Sequence, residues 1–445
     1  MGKDRLAVIV LAAGMGTRMN SDLPKVMHPL AGRPMIKHLM DTVAGLEPER
    51  VVVVVGPGME SLSAAVAPAV TVVQHERLGT GHAVIQAREA LAGFDGHVVV
   101  LYGDTPLLTA ATLRRMLDER RSAMDPAVVV LGFKPDDPAC YGRMVVGAEG
   151  LKAIVEWKDA TPEQREIPLC NSGVIAFDGA RMWGLLERLG RDNAKGEYYL
   201  TDVVALARFD GACCSVVLGD PGELLGVNSR AELARAEGLI QDCLRARAMA
   251  DGATLIAPET VWFAWDTRLG RDVTIWPHVV FGPGVTIGDK VTIKGFCHFE
   301  GCTVAAGAEL GPYARLRPGA DIGASAHIGN FVEIKKATVE TGAKVNHLTY
   351  IGDARIGAGA NVGAGTITCN YDGFDKFFTD IGAGAFIGSN TALVAPVKIG
   401  DGAVIGAGSV VTRNVDAGAL AVARGTQREL PGWAERFRRA KGRKA

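Results

Sequence analysis

The 445-residue chain lacks the cysteine pattern of a disulfide scaffold or a zinc ribbon. Its eight cysteines, at positions 140, 170, 213, 214, 243, 297, 302 and 369, contain no CxxC pair. They read as reduced structural thiols, with Cys297 and Cys302, five residues apart, the one pair to test as a metal site. The chain also lacks charge of one sign. Its 48 Lys and Arg against 49 Asp and Glu leave a formal charge of -1, so there is no general basic field for nucleic acid or an anionic membrane. No apolar run approaches the roughly 20 residues of a membrane span. The apolar stretch in MGKDRLAVIVLAAG breaks too early into polar MGTRMNSD to act as a secretory leader. These absences predict a cytoplasmic protein with no nucleic-acid partner and no integral membrane association.

What is present divides the chain in two. Residues 1–250 hold 26 glycines and residues 271–420 hold 25, so glycine becomes denser where the second half begins. The first half alternates short β-branched runs (Leu6 to Leu11, Val51 to Val55, Val98 to Leu101, Val128 to Leu131) with amphipathic segments. That alternation predicts a parallel sheet covered by helices on both faces, an α/β domain. Residues 229–250 read as one joining helix, with Ser229 and Glu232 in capping-box spacing and Leu233, Ala236, Ile240 and Leu244 on one stripe.

From Ile275 an aliphatic residue recurs about every six positions: Phe281, Ile287, Ile293, then Val304, Leu310, Leu316, Ile322, Ile328 and Ile334, and again from Ile381 to Val411. Three hexads make one triangular turn of a parallel β-helix. TCNYDGFDKFFTD, between Ile367 and Ile381, breaks the beat and predicts a loop leaving the coil. The boundaries are therefore 1–228 for the α/β domain, 229–250 for the helix, 251–423 for the β-helix and 424–445 for a tail with eight basic and two acidic residues. The tail reads as a solvated end or as phosphate-binding charge near another subunit.

Two sets of residues carry chemistry. Strand-like LAVIVL runs into AAGMGTRM, a glycine-rich turn read as opening a helix, whose backbone N–H groups suit phosphate oxygens, with Lys25 just beyond. It is neither a Walker loop nor a full dinucleotide fingerprint. Asp104 follows the strand-like Val98 to Leu101 at a carboxyl end, where a single carboxylate can share Mg2+ with phosphates. In the second half His347 lies where the six-residue rhythm slips, near Lys335, Tyr350, Asn361 and the ejected loop, and imidazole suits removal of a proton near neutral pH.

LAAGMGTRMNSDLPKV, QHERLGTGHA and LYGD resemble the sugar-nucleotide pyrophosphorylases. Together with the hexapeptide half and HLTYIGDARIGAGANVGAGTITCNYDG, nearly the whole chain resembles the bacterial bifunctional N-acetylglucosamine-1-phosphate uridyltransferase and glucosamine-1-phosphate acetyltransferase. That resemblance implies a Rossmann-like nucleotidyltransferase domain followed by a left-handed parallel β-helix of hexapeptide repeats. It implies that UTP meets Leu11, Ala12, Ala13 and Gly14, that Gln74, Gly79 and Thr80 select uracil, and that Lys25 stabilises the phosphates. Tyr102, Gly103, Gly142, Glu156 and Asn171 would line the nucleotide or sugar-phosphate site, and Asp104 with Asn228 would hold Mg2+. No protein nucleophile is required, because the sugar phosphate attacks the α-phosphorus of UTP directly.

For the second half the resemblance makes His347 the general base and gives Arg317, Lys335, Tyr350, Asn361 and Lys376 to the amino-sugar phosphate. Acetyl-CoA would run past Ala364, Asn370, Tyr371, Ser389, Ala407 and Arg424. A homotrimer follows, with glucosamine 1-phosphate, acetyl-CoA, N-acetylglucosamine 1-phosphate and UTP as small-molecule partners, for synthesis of peptidoglycan and lipid A precursors. Two positions depart from the family pattern. Arg77 replaces Gln beside the uracil residues, and Asn346 replaces a small residue before His347, where it either bonds the base or caps a turn. A monofunctional nucleotidyltransferase with a scaffolding β-helix is the alternative, and a non-enzymatic sugar-nucleotide sensor the second.

Overall fold

Continuous Val, Ile and Leu runs build the first sheet because both of their faces find apolar cover. The computed structural model describes residues 5–138 and 140–442. Residues 1–4 of the opening segment, residue 139 and residues 443–445 of the basic tail lie outside the described residues. Nine strands form the first sheet: β1 (Leu6–Leu11), β2 (Arg50–Val55), β3 (Val70–Val73), β4 (His97–Tyr102), β5 (Val128–Phe133), β6 (Arg143–Gly147), β7 (Gly150–Val155), β8 (Cys170–Asp178) and β9 (Cys214–Leu218). Their order is β9, β5, β8, β4, β1, β2, β3, with β6 paired to β8 and β7 to β6. Alternate side chains feed opposite cores, Ile9 and Val100 on one face, Val8 and Val99 on the other.

The sheet is not wholly parallel as the sequence predicts. β8 runs antiparallel to both β4 and β5. After β5 the chain makes the β6–β7 hairpin and returns with Cys170 opposite Phe133, the last residue of β5, so the next strand has to run back.

The chain divides into two compact units, Met1–Cys243 and Leu244–Ala445, and the division falls within the helix Arg230–Ala250. Ala236 packs in a core of the first unit and Leu244 against that of the second. At the helix start the Ser229 hydroxyl accepts from the Glu232 amide at 3.3 Å, while the Glu232 carboxylate accepts from the Asn228 amide at 2.8 Å. Glu232 thus reaches one residue further back than a reciprocal capping box and pins Asn228.

The second unit is a left-handed parallel β-helix. Strands of two to seven residues pair with the next coil, as in Ile275 with Ile293 and Phe281 with Phe299, so the inward positions stack as columns. Leu310, Ile328, Val345, Val362, Ile387 and Ile405 continue the Ile275 column and all are buried. From Ile275 the coils step by 17 or 18 residues until Ile356 pairs with Ile381, a step of 25 that ejects the NYDG loop, as the broken beat predicts. The loop closes on itself through a Tyr371–Lys376 bridge and the Asp372 carboxylate, which accepts from the Phe374 and Asp375 amides.

The tail contains a short exposed helix, Trp433–Ala440, with Trp433 and Phe437 stacked, where the sequence reading assigned no element. Among the described residues no helix is long and apolar enough to cross a membrane. All eight cysteines are free. Burial pushes the Cys297 thiol up to about 11 and Cys302 to about 12, and among the described residues no group of three or more His, Cys, Asp or Glu side chains is placed to hold a metal with them.

Candidate active sites

The first site lies at the carboxyl ends of β1 and β4. A cleft of about 350 Å³ there is lined by Leu11, Ala12, Ala13, Gly14, Lys25, Gln74, Gly79, Thr80, Tyr102, Asp104 and Asn228 from the expected set. The glycine-rich turn does not open an α-helix as the sequence reading supposed. A single 3-10 turn, Thr17–Met19, follows it, and the first α-helix starts only at Met35, so backbone N–H groups rather than a long helix dipole would face an anion there.

Gly16 explains how Lys25 enters the cleft. Its φ is +63°, and a Cβ on it would lie 2.6 Å from the Lys25 Cβ, so a side chain there would push the lysine out. The Lys25 ammonium then donates to both the Asp104 carboxylate and Asn228 Oδ1, the latter at 2.9 Å. The Asn228 Nδ2 donates to the Gly226 carbonyl at 3.3 Å, which fixes Oδ1 toward the lysine. The Val227 amide donates to the Asp104 carbonyl at 2.9 Å and holds the two loops together. Two hard oxygens therefore converge on one cation position, a donor set that fits Mg2+ completed by phosphate oxygens and water.

Beyond Tyr102 a second group forms the adjoining wall. The Asn171 amide donates to the Gly142 carbonyl at 2.9 Å, and Thr201 Oγ1 donates to Glu156 at 3.3 Å. Burial raises the Glu156 carboxyl above its ordinary value, against the opposing charge of Lys195. Burial likewise raises the Tyr102 phenol. Gly103 does not line the cleft; Ile36, Val26 and Ala12 surround it, and its amide donates to the Leu11 carbonyl at 2.9 Å. Sequence reasoning missed Val26, Ala83 and Glu197, which also line the cleft. Arg77 lines it too and donates through Nε to the Ala13 carbonyl at 3.2 Å, so it braces the glycine-rich turn.

The second site follows one corner of the β-helix. The Gly365 amide donates to the His347 carbonyl at 3.1 Å, the Asn390 amide to Ala364 at 2.7 Å, the Gly408 amide to Ser389 at 2.8 Å, and Arg424 Nη1 to the Ala407 carbonyl at 2.6 Å. His347, Ala364, Ser389, Ala407 and Arg424 are thus one ladder over successive coils, with His347, Ser389, Ala407 and Arg424 exposed. Tyr371 is exposed on the loop, whereas Asn370 is buried and donates to the Asp353 carboxylate.

Across the adjoining face, Lys335 pairs in register with Gly352 and Glu333 with Tyr350. The nearby Lys376 side chain, and to a smaller degree Arg317, hold the Lys335 ammonium below the usual lysine value, while Asp353 pulls the other way. Arg317 also bonds Glu333 at 2.8 Å. These cations form a group suited to a phosphate dianion. Asn361 is not among them: it pairs with Lys344 on the sheet that carries His347. Nor does Asn346 bond the base. His347 Nδ1 meets Asn330 Oδ1 at 2.6 Å, and Asn346 Oδ1 is buried with no partner among the described residues.

Comparison with known proteins covers both halves. A model of the MobA-like NTP transferase domain matches residues 8–164, and one of six bacterial transferase hexapeptide repeats matches residues 266–301 and 378–413. The bifunctional protein GlmU of Paramagnetospirillum magneticum is 73% identical over 438 residues, covering 98% of each chain. Those of Rhodospirillum rubrum and Sphingopyxis alaskensis are 67% and 58% identical, covering 98% and 99% of this chain and 97% and 98% of the relatives. With that identity along its whole length, the chain belongs to the GlmU family of bifunctional N-acetylglucosamine-1-phosphate uridyltransferases and glucosamine-1-phosphate N-acetyltransferases.

Proposed function

We propose that the family's two reactions are divided between the two sites, with the residue roles given below. The protein acetylates glucosamine 1-phosphate from acetyl-CoA, releasing CoA, and joins the resulting N-acetylglucosamine 1-phosphate to UTP, releasing diphosphate and UDP-N-acetylglucosamine. The observation that carries the assignment is the corner ladder that puts His347 at the head of the residues expected to hold acetyl-CoA.

In acetyl transfer, Arg317, Lys335 and Lys376 hold the 1-phosphate and leave the amine facing the ladder. The amine nitrogen attacks the thioester carbonyl, His347 takes the amine proton directly or through water, and the CoA thiolate leaves and is protonated. The backbone N–H near Ala364 stabilises the oxyanion, and Arg424 meets a CoA phosphate. Asn361 sits on a different sheet from the cations, which supports a homotrimer whose neighbouring β-helix completes the site.

In uridyl transfer, the turn from Leu11 to Gly14 receives the nucleotide, Gln74, Gly79 and Thr80 hold the base, and Gly142, Glu156 and Asn171 receive the sugar. Mg2+ held by Asp104 and Asn228 would supply charge neutralisation at the phosphoryl oxygens. Lys25 leaves Asp104 and Asn228 for the α-phosphoryl oxygens, where its charge offsets what develops as diphosphate departs. With UTP and acetyl-CoA as substrates and a balanced charge, the reading places the protein in the cytoplasm, supplying precursors of peptidoglycan and lipid A.

The test is incubation of the full chain with glucosamine 1-phosphate, acetyl-CoA, UTP and Mg2+, following every sugar species by mass spectrometry. Acetylated sugar phosphate should form without UTP, and UDP-N-acetylglucosamine only with it. Uridylylation of supplied N-acetylglucosamine 1-phosphate without any acetyl transfer would reduce the β-helix to a scaffold.

A further inference from the structure

A histidine acting as a base must present one ring nitrogen with a free lone pair, and which nitrogen that is depends on the bond the other makes. His347 Nδ1 lies 2.6 Å from Asn330 Oδ1. A carboxamide oxygen only accepts, so this contact requires the proton on Nδ1 and leaves Nε2 as the base.

The pair is built by the coil. Asn330 and His347 end the strands His327–Asn330 and Lys344–His347, are direct register partners, and are joined again through the Leu348 amide, which donates to the Asn330 carbonyl at 3.0 Å. The two strands close tightly there. A Cβ on Gly329 would stand 1.9 Å from the Asn346 carbonyl oxygen, so glycine is required for the approach that brings Asn330 beneath the imidazole.

We infer that Asn330 is a positioning residue for acetyl transfer: its side-chain oxygen holds His347 in the Nδ1-protonated tautomer and aims Nε2 along the corner ladder. The inference rests on the reading of His347 as the base. The carboxamide oxygen in this role orients the ring for proton transfer through Nε2. It also accounts for Asn346, whose oxygen does not reach the base and is free of that role.

The test is steady-state kinetics of both reactions on full-length variants. Asn330→Leu, which keeps size and removes the acceptor, should lower kcat for acetyl transfer roughly 10- to 100-fold, a share of the roughly 10²–10⁴-fold a general base contributes. KM for both acetyl-transfer substrates should stay within about twofold and uridyl transfer should be unchanged. Asn330→Asp keeps the acceptor and should recover most of the loss. If the leucine variant misfolds, as thermal unfolding would reveal, Asn330→Ser, too short to reach Nδ1, replaces it. An unchanged kcat in the variant lacking the acceptor overturns the role, as does a loss that aspartate fails to recover, because the amide N–H would then be the needed group. His347→Ala separates the two levels: if it retains acetyl transfer, the base assignment itself fails; if it is inactive while the Asn330 variants keep full rate, only the positioning role fails.

Discussion

Lys25 Nζ donates to Asn228 Oδ1 at 2.9 Å across 203 positions of chain. The same ammonium bonds Asp104, so a lysine expected among phosphates rests instead between the two oxygens expected to hold the metal. Charge at this point is balanced within the protein by the Lys25–Asp104 pair.

Lys25→Ala should therefore lower uridyl transfer roughly 10²–10³-fold, the range for loss of one preorganised group that stabilises transition-state charge. Acetyl transfer, assayed separately by CoA release, should be unaffected. Loss of both would place the fault in folding rather than chemistry.

For Asp104→Asn the expectation is a raised Mg2+ requirement. Titration of uridyl transfer with Mg2+ should show half-saturation at a concentration at least about tenfold higher, because one charged ligand becomes neutral. An unchanged Mg2+ curve would remove Asp104 from the metal site.

His347→Ala should cost acetyl transfer roughly 10²–10⁴-fold and leave uridylylation of supplied N-acetylglucosamine 1-phosphate intact. Residual acetylation near the normal rate would point to another base.

The Lys335 ammonium sits below the usual lysine range because Lys376 lies beside it. A bound phosphate dianion favours the charged form, so affinity for glucosamine 1-phosphate should fall as pH rises through the lowered value. Lys376→Gln removes the main cause and should move that alkaline limb to higher pH, though overall binding weakens. The measurement is KM for glucosamine 1-phosphate against pH, with Lys335→Gln, which should abolish the limb, as control.

Ile293 is fully buried between Ile275 and Leu310 in one column. Ile293→Ala should destabilise the β-helix by roughly 2–5 kcal/mol, since a coil held on both sides cannot collapse onto the vacancy. Urea unfolding followed by circular dichroism would register it as a lower midpoint.

Repetition made the second half legible. Ile275, Ile293 and Ile387 recur because each coil repeats the same inward position, and the NYDG loop showed itself as the place where the beat fails. The residues of the ladder from His347 to Arg424 were named by the resemblance alone, but their alignment along one corner comes from the coil geometry. β8 was not legible in direction, because an apolar run buried on both faces reads the same whichever way it lies. Glu197 was missed for a similar reason: its place in the cleft depends on the Tyr198 amide donating to Leu78 at 2.7 Å, a contact between segments with no shared motif.

The sequence by itself determined the two-part architecture, the period of the coil, the family and the residue types at both sites, because periodic burial and local turn chemistry are written in short stretches of chain. Tertiary structure alone decided that Asn330 rather than Asn346 meets His347, that Lys25 spans Asp104 and Asn228, and that Asn361 lies on a different sheet from the cations. The first two are contacts between side chains 17 to 203 positions apart, and the third follows from strand pairing. Their geometry is set by strand register and by where glycine permits close approach, and neither is a property of any local segment.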